Sequence, residues 1–122
     1  MDQVSGTNFY IYQDKDDFSF GIDAVLLSDF TKAKKNHIDL CTGNGIVALR
    51  LAYIYNDINI VGADIDQKAI ELFKKSIEIN KLDERVKAMD MDIREVEKFL
   101  KKTFYKIFLL LLFVVCCSFV EF

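Results

Sequence analysis

The chain has no proline in its 122 residues, and it has one histidine, three cysteines and five glycines. Each shortage closes off a class of protein. The cysteines, Cys41, Cys116 and Cys117, are odd in number, two are adjacent, and none stands at metal-ligand spacing with the single His37. A disulfide framework and a zinc site are both unexpected, no metal is expected, and a reducing cytoplasmic setting fits. The net charge of −3 leaves no overall basic footprint for nucleic acid. Local lysine groups at Lys32, Lys34 and Lys35, at Lys74 and Lys75, and at Lys98, Lys101 and Lys102 read as solvated helix faces. The first ten residues carry no basic region followed by an apolar core, so they do not read as a signal peptide. With 52% hydrophobic and 29% charged residues the chain is globular, and its length allows one domain at most.

What is present centres on residues 37–48, HIDLCTGNGIVA. His37–Cys41 reads as a strand, Thr42-Gly43-Asn44-Gly45 as a tight turn and Ile46–Tyr55 as a helix. Such a turn lets backbone amides lie against a small ligand. Asp39 falls inside the strand, so a carboxylate is held beside the turn.

Ahead of this motif, Phe9–Tyr12 and Phe18–Phe20 read as a hairpin about the charged stretch Gln13–Asp17. A helix follows from about Asp23 to Lys32. Ala24, Leu27, Phe30 and Thr31 share its predicted buried side, with Val25 and Leu26 widening it, and Asp23 is placed to cap its start. After the motif, Ile58–Asp64 is a near-continuous apolar run of the kind buried in parallel sheets. Asp66 caps a helix over Gln67–Asn80 whose Ile70, Phe73 and Ile77 recur at helical spacing. Arg85–Met89 reads as a third strand. Asp92 then precedes a short helix over Arg94–Lys101 that buries Val96, Phe99 and Leu100. The order βαβαβα predicts an α/β fold with an open, mostly parallel sheet and right-handed crossovers.

The end of the chain differs in character. A fourth strand begins near Phe104–Lys106, and Ile107–Val120 is a 14-residue uncharged run. As a helix it would span roughly 21 Å against the ~30 Å of a bilayer core, so it reads as core strand rather than membrane span. The expected division is residues 1–36 as hairpin and helix, 37–106 as the central layer and 107–122 as an apolar tail. In sheet order 3-2-1-4 the fourth strand is an edge, which invites aggregation or self-association.

Gly43-x-Gly45-x-x-Ala48 fits the loose dinucleotide fingerprint, and Asp64 lies 19 residues beyond Gly45, where a carboxylate can accept both hydroxyls of an adenosine ribose. The glycine pair alone has little specificity; with Asp64 it points to an adenosine-containing cofactor. A nicotinamide dinucleotide would bring a pyrophosphate to the helix start, where Asp39 repels it. S-adenosylmethionine instead offers a sulfonium and an ammonium, which Asp39 suits. Met91–Val96 (MDIREV) resembles the strand-to-helix turn that carries the adenine-binding acid in such folds, which implies Asp92 as the acceptor for the adenine amino group, with Asp90 the neighbouring candidate.

Asp39-Leu40-Cys41-Thr42-Gly43-Asn44-Gly45 resembles motif I of class I methyltransferases, with Cys41 in place of the first of three glycines. Together with the segment Phe18–Phe30 and Gly62-Ala63-Asp64-Ile65-Asp66, it resembles the bacterial adenine-N(6) methyltransferases that modify valine tRNA beside the anticodon. The resemblance runs from about Asn8 to Ile107. It implies a Rossmann-like class I methyltransferase fold, truncated after about the fourth strand, with S-adenosylmethionine as cofactor and tRNA as substrate. By the same resemblance Gly21 and Asp23 help to close the cofactor site.

Relatives of this kind carry Asn-Pro-Pro-Tyr after the fourth strand, to bind and stack the target base. A chain without proline lacks that motif, and Phe113–Ser118 stands in the region instead. No catalytic residue is therefore expected, and the chain alone is expected to be inactive. Two other readings remain at this point: a nicotinamide-dependent oxidoreductase fragment, and a non-enzymatic module that docks through residues 107–120.

Overall fold

The computed structural model describes residues 1–14, 22–33 and 35–95, and the backbone of 106–107. Among these, strands β1 (Asp2–Gln3) and β2 (Tyr10–Ile11) form a small antiparallel ribbon. Helix α1 (Ile22–Phe30) leads to β3 (Asn36–Leu40), α2 (Ile46–Ile54), β4 (Asn59–Asp64), α3 (Gln67–Ile79), β5 (Val86–Asp90), a 3₁₀ turn at Ile93–Glu95, and β6 (Lys106–Ile107).

The four later strands make one parallel sheet in the order β5-β4-β3-β6. This is the predicted 3-2-1-4 order. Parallel neighbours need crossovers, and α2 and α3 supply them between β3, β4 and β5. The registers Asp39↔Gly62 and Asp64↔Asp90 bring the carboxyl ends of β3, β4 and β5 level.

Alternation along the strands divides the core in two. Ile38, Leu40, Val61, Ala63 and Met91 pack together on one face. Ile58, Ile60 and Val86 face the other way, into a cluster with Ala48, Leu49, Leu51 and Ala52 of α2 and Ile70, Phe73 and Ile77 of α3. The predicted stripe of α3 is thus its buried side. Asp66 caps that helix, its Oδ1 accepting from the amides of Lys68 at 3.0 Å and Ala69 at 3.3 Å. Helix α3 ends with Lys81 at φ +58°, the Lys81 amide donating to the Glu78 carbonyl and the Leu82 amide to that of Ile77. That pattern closes a helix through a left-handed residue, and Leu82 and Ile77 bury together beneath it.

Several expectations need correction. Among the described residues, Phe9–Tyr12 contributes to a ribbon with a partner that the sequence reading does not give. There β2 pairs with Asp2–Gln3, while residues 18–20 lie outside the described set, as do Gly21, Lys34 and 96–105 with the predicted Val96, Phe99 and Leu100 face. The ribbon is fixed from a distance. Asn80 accepts from the Tyr10 amide at 2.8 Å and donates to its carbonyl at 2.6 Å, and Ser76 Oγ accepts from the Tyr12 amide at 2.8 Å.

Helix α1 buries the expected face in Ala24, with Leu27 packed against the core, but departs from it at two positions. Ala24 and Ser28 are its buried residues, Thr31 just beyond it is also buried, and Phe30 is 83% exposed. The cause is Arg50, which is buried on α2 rather than part of a polar surface. Its Nε donates to Ser28 Oγ at 2.6 Å, its Nη2 pairs with Asp29 at 2.7 Å, and its Nη1 donates to the Ser5 carbonyl. A buried guanidinium needs such partners, and satisfying them turns Ser28 inward and Phe30 out. Among the described residues no helix is long and apolar enough to cross a membrane.

Candidate functional site

The carboxyl ends of β3 and β4 hold the site. The chain leaves β3 through Cys41 at φ +55°, then passes through Gly43 at +58° and Gly45 at +88°. Such angles favour glycine, so Cys41 occupies a position that its side chain makes costly. Asn44 sits half-buried between the two glycines. The turn is pinned by the Thr42 amide donating to the Ala63 carbonyl at 3.0 Å and the Gly45 amide to that of Thr42 at 2.9 Å.

Gly45 and Gly43 are required for different reasons. A side chain at Gly45 would collide with the ring of Phe73, as would one at Gly62. Nothing lies within 4 Å of where a side chain at Gly43 would be. One glycine therefore serves packing and the other borders open space.

Gly45 is the N-cap of α2 and has no side chain to satisfy the helix's first amides. Asp39 on β3 lies close enough to the Ala48 backbone, in the first turn of α2, for that amide to favour its charged form slightly. Its Oδ2 accepts from Thr42 Oγ1 at 2.7 Å. Even so, burial pushes the Asp39 carboxyl from its usual 3.8 up to about 6, the Thr42 bond opposing this and the nearby Asp64 adding to it. A cavity of about 40 Å³ lies between Asp39, Cys41, Thr42, Ile46 and Ala24 of α1. It has room for a water-sized group only.

Asp64 ends β4. Its Oδ2 accepts from the Gly43 amide at 2.8 Å and its Oδ1 from the Asp66 amide at 2.9 Å. The structure therefore brings together Asp39, Gly43, Asn44, Gly45 and Asp64, as the sequence predicts. Asp92 stands at the end of the neighbouring strand but turns to its own chain. Its Oδ1 accepts from the Arg94 amide at 2.9 Å, and its carboxylate forks with the guanidinium, Nε lying 3.0 Å from each oxygen. Those bonds hold Asp92 down to about 2. Its local work is to cap the 3₁₀ turn, and any ligand there competes with Arg94. Asp90 is exposed. Asp23 lies in the first turn of α1 rather than at its cap, and is exposed, one residue before the cavity-lining Ala24. Gly21 lies outside the described residues.

Three contributors escaped sequence reasoning. In the sequence Thr42 is legible only as part of the turn, yet its hydroxyl donates to Asp39. Ile65 and Ile93 are 65% and 43% exposed just beyond β4 and β5, and offer apolar surface on the same rim as Asp64 and Asp92. The signal for Ile65 was its place between two acids, where an apolar residue has no core to fill.

A parallel sheet with a strand–glycine turn–helix unit and a carboxylate on the next strand defines a Rossmann-like nucleotide-type site. The chain belongs to the methyltransferase small domain family, which matches residues 15–104. It is 35% identical over 89 residues to the tRNA1(Val) (adenine(37)-N6)-methyltransferase of Flavobacteriaceae bacterium strain 3519-10, covering 70% of this chain and 38% of that protein. It is 33% identical over 67 residues to the ribosomal protein uL3 glutamine methyltransferase of Neisseria gonorrhoeae, covering 55% of this chain and 22% of that one. The chain thus spans well under half the length of these curated relatives. Among solved structures it resembles Pyrococcus horikoshii TYW2 in complex with MeSAdo, with TM-score 0.57 and 22% identity over 68% of this chain and 33% of that one. It also resembles the C-terminal domain of precorrin-6Y C5,15-methyltransferase from Rhodobacter capsulatus, with TM-score 0.57 and 14% identity over 72% of this chain and 47% of that domain. These likenesses establish the fold.

Proposed function

We propose that this chain is the cofactor-holding part of an S-adenosylmethionine-dependent methyltransferase whose acceptor is the exocyclic N(6) of adenine in tRNA. The observation that carries the cofactor reading is the pairing of buried Asp39 with Asp64 around the open Gly43 turn. Two carboxylates converge where one end of the ligand is cationic and the other is a ribose diol. Asp39 faces the positive charge, Asp64 accepts from the ribose hydroxyls, and Ile65 and Ile93 give apolar walls to a purine. The open space at Gly43 is where a bound backbone-hugging ligand fits without a clash. When bound, the cofactor supplies an activated methyl group. What this chain's residues contribute is binding, orientation and charge complementarity.

The acceptor reading rests on the tRNA-modifying relative, on the segment that leads into α1, and on the match extending over 89 residues. The uL3 relative matches over a shorter stretch and acts on a glutamine, so glutamine side chains are the competing acceptor. A nicotinamide cofactor is disfavoured by Asp39 and by membership of a methyltransferase family. With no proline, the chain has no Asn-Pro-Pro-Tyr acceptor motif and is expected to bind cofactor without transferring a methyl group by itself.

Calorimetric titration tests the first part. Heat with S-adenosylmethionine, competed by S-adenosylhomocysteine but not by NAD, is the expected result, and the reverse order of competition sinks it. Tritiated-methyl assays on unmodified valine tRNA and on a glutamine peptide test the second. Neither is expected to be labelled by this chain alone. Label in the glutamine peptide overturns the adenine assignment, and label in the tRNA overturns the claim that the chain is inactive alone.

A further inference from the structure

Thr42 follows β3 and is buried, as is Asp39 within that strand. Two contacts with β4 lock it in place. Its amide donates to the Ala63 carbonyl at 3.0 Å. Its side chain lies over Gly62, where a Cβ would stand 2.8 Å from Oγ1 and 3.0 Å from Cγ2. Gly62 thus leaves the space that Thr42 fills, and β4 in effect presents the hydroxyl to β3. That hydroxyl donates to Asp39 Oδ2 at 2.7 Å. A donor fixed by its surroundings gives up little freedom when it makes such a bond.

We propose that Thr42 is a positioning residue for the cofactor: its hydroxyl ties down one oxygen of Asp39, so that the carboxylate meets the cationic end of the ligand in a set orientation and as an anion. The role rests on the reading of this site as one for S-adenosylmethionine. The surroundings of Asp39 make the bond matter. Asp64, on β4, is the charged group that acts on it, and its sign is the same. The Cys41 thiol lines the same cavity of about 40 Å³. From the helices Ala24 of α1 and Ile46 and Val47 of α2 line it, and no charged side chain of either helix does so among the described residues. Burial favours the neutral acid, Asp64 adds to this, and the carboxyl rises to about 6. Of the two contacts that oppose the rise, the Thr42 bond is larger than the effect of the Ala48 backbone. Without the hydroxyl, Asp39 is largely neutral at about pH 7 and the cation loses its counter-charge.

Thr42→Val keeps the shape over Gly62 and deletes the donor, while Thr42→Ser keeps the donor. Carboxyl-carbon NMR of the full chain without ligand is expected to place the Asp39 midpoint about one pH unit or more higher in T42V than in the native chain, with T42S close to native. In calorimetric titrations with S-adenosylmethionine, T42V is expected to bind roughly threefold to tenfold more weakly than the native chain at about pH 7, the ratio closing as pH rises. Taking the ratio at each pH cancels the titration of the ligand's own ammonium. Adenosine, which carries no cation, is expected to bind both chains equally. An Asp39 midpoint unmoved in T42V overturns the inference. So does a deficit that is the same at every pH or that adenosine shares, either of which marks a merely structural role. A native chain that does not bind S-adenosylmethionine overturns the cofactor reading and the ligand half of the role with it, while the ligand-free titration still decides whether Thr42 holds Asp39. Thr42→Ala takes the place of T42V in both measurements if the valine variant does not fold.

Discussion

The ring of Phe73, on α3, stands where a side chain on Gly45 would have to go. Phe73 is fully buried, and the same ring also closes off Gly62 on β4. The third helix therefore dictates two glycines that flank the site, one at the start of α2 and one in the adjacent strand.

Gly45→Ala and Gly43→Ala are expected to separate packing from binding. At Gly45 the new methyl overlaps the Phe73 ring at a left-handed φ, so about 3 kcal/mol of stability is lost. At Gly43 only the backbone angle is penalised, by about 1 kcal/mol, while the methyl projects into open space. Urea unfolding should rank G45A far below G43A. Cofactor titration of the folded G43A should show a loss of affinity out of proportion to its stability.

Asp39 gives the site a pH signature. Its carboxyl is raised to about 6, so the folded chain holds this proton more tightly than the unfolded chain does. The stabilisation from neutral Asp39 is complete below about pH 4 and is lost as pH rises to about 6, a span of ~3 kcal/mol. Asp39→Asn should flatten that part of the stability profile in parallel urea series. Binding of a cationic ligand should run the other way, tightening as pH rises through 6 in the native chain, and staying flat and roughly tenfold weaker in D39N.

Asp64→Asn tests the second carboxylate. The Asn oxygen can still accept from one backbone amide, but its NH₂ then faces the other, Gly43 or Asp66, donor to donor. The turn is expected to loosen and adenosine-containing ligands to lose roughly tenfold or more in affinity. Unchanged competition by adenosine in D64N would remove Asp64 from the ribose role.

Cys41→Gly should stabilise the chain. A left-handed φ costs a side-chain-bearing residue about 1–2 kcal/mol, against about 0.5–1 kcal/mol of added backbone entropy for glycine. A net gain of up to about 1 kcal/mol in chemical unfolding is expected. A loss would mean that the thiol contributes packing worth more than the strain.

The strand, turn and helix over residues 37–48 could be read directly, because apolar runs and glycines at short range determine that local structure. Asp39 and Asp64 could be read for the same reason, each lying at a fixed offset from the turn. The α3 stripe was clear because Ile70, Phe73 and Ile77 face one core. What escaped was determined at a distance or by chemistry outside the pattern. Strand β1 is two exposed residues long, and the ribbon's place is set by Asn80 and Ser76. That Ser28 faces in while Phe30 faces out is set by one guanidinium from α2, which no apolar count reveals. Asp92 was legible as an acid after β5, yet its partner two residues on decides how free it is.

The contacts that anchor the first residues run to groups made much later. Tyr10 meets Asn80, 70 residues further along, and Ser5 meets Arg50, 45 residues further along. At about 5–20 residues per second, translation reaches Asn80 roughly 4–14 s after Tyr10. The amino-terminal ribbon is thus synthesised first and settled last, held in waiting until the third helix has left the ribosome.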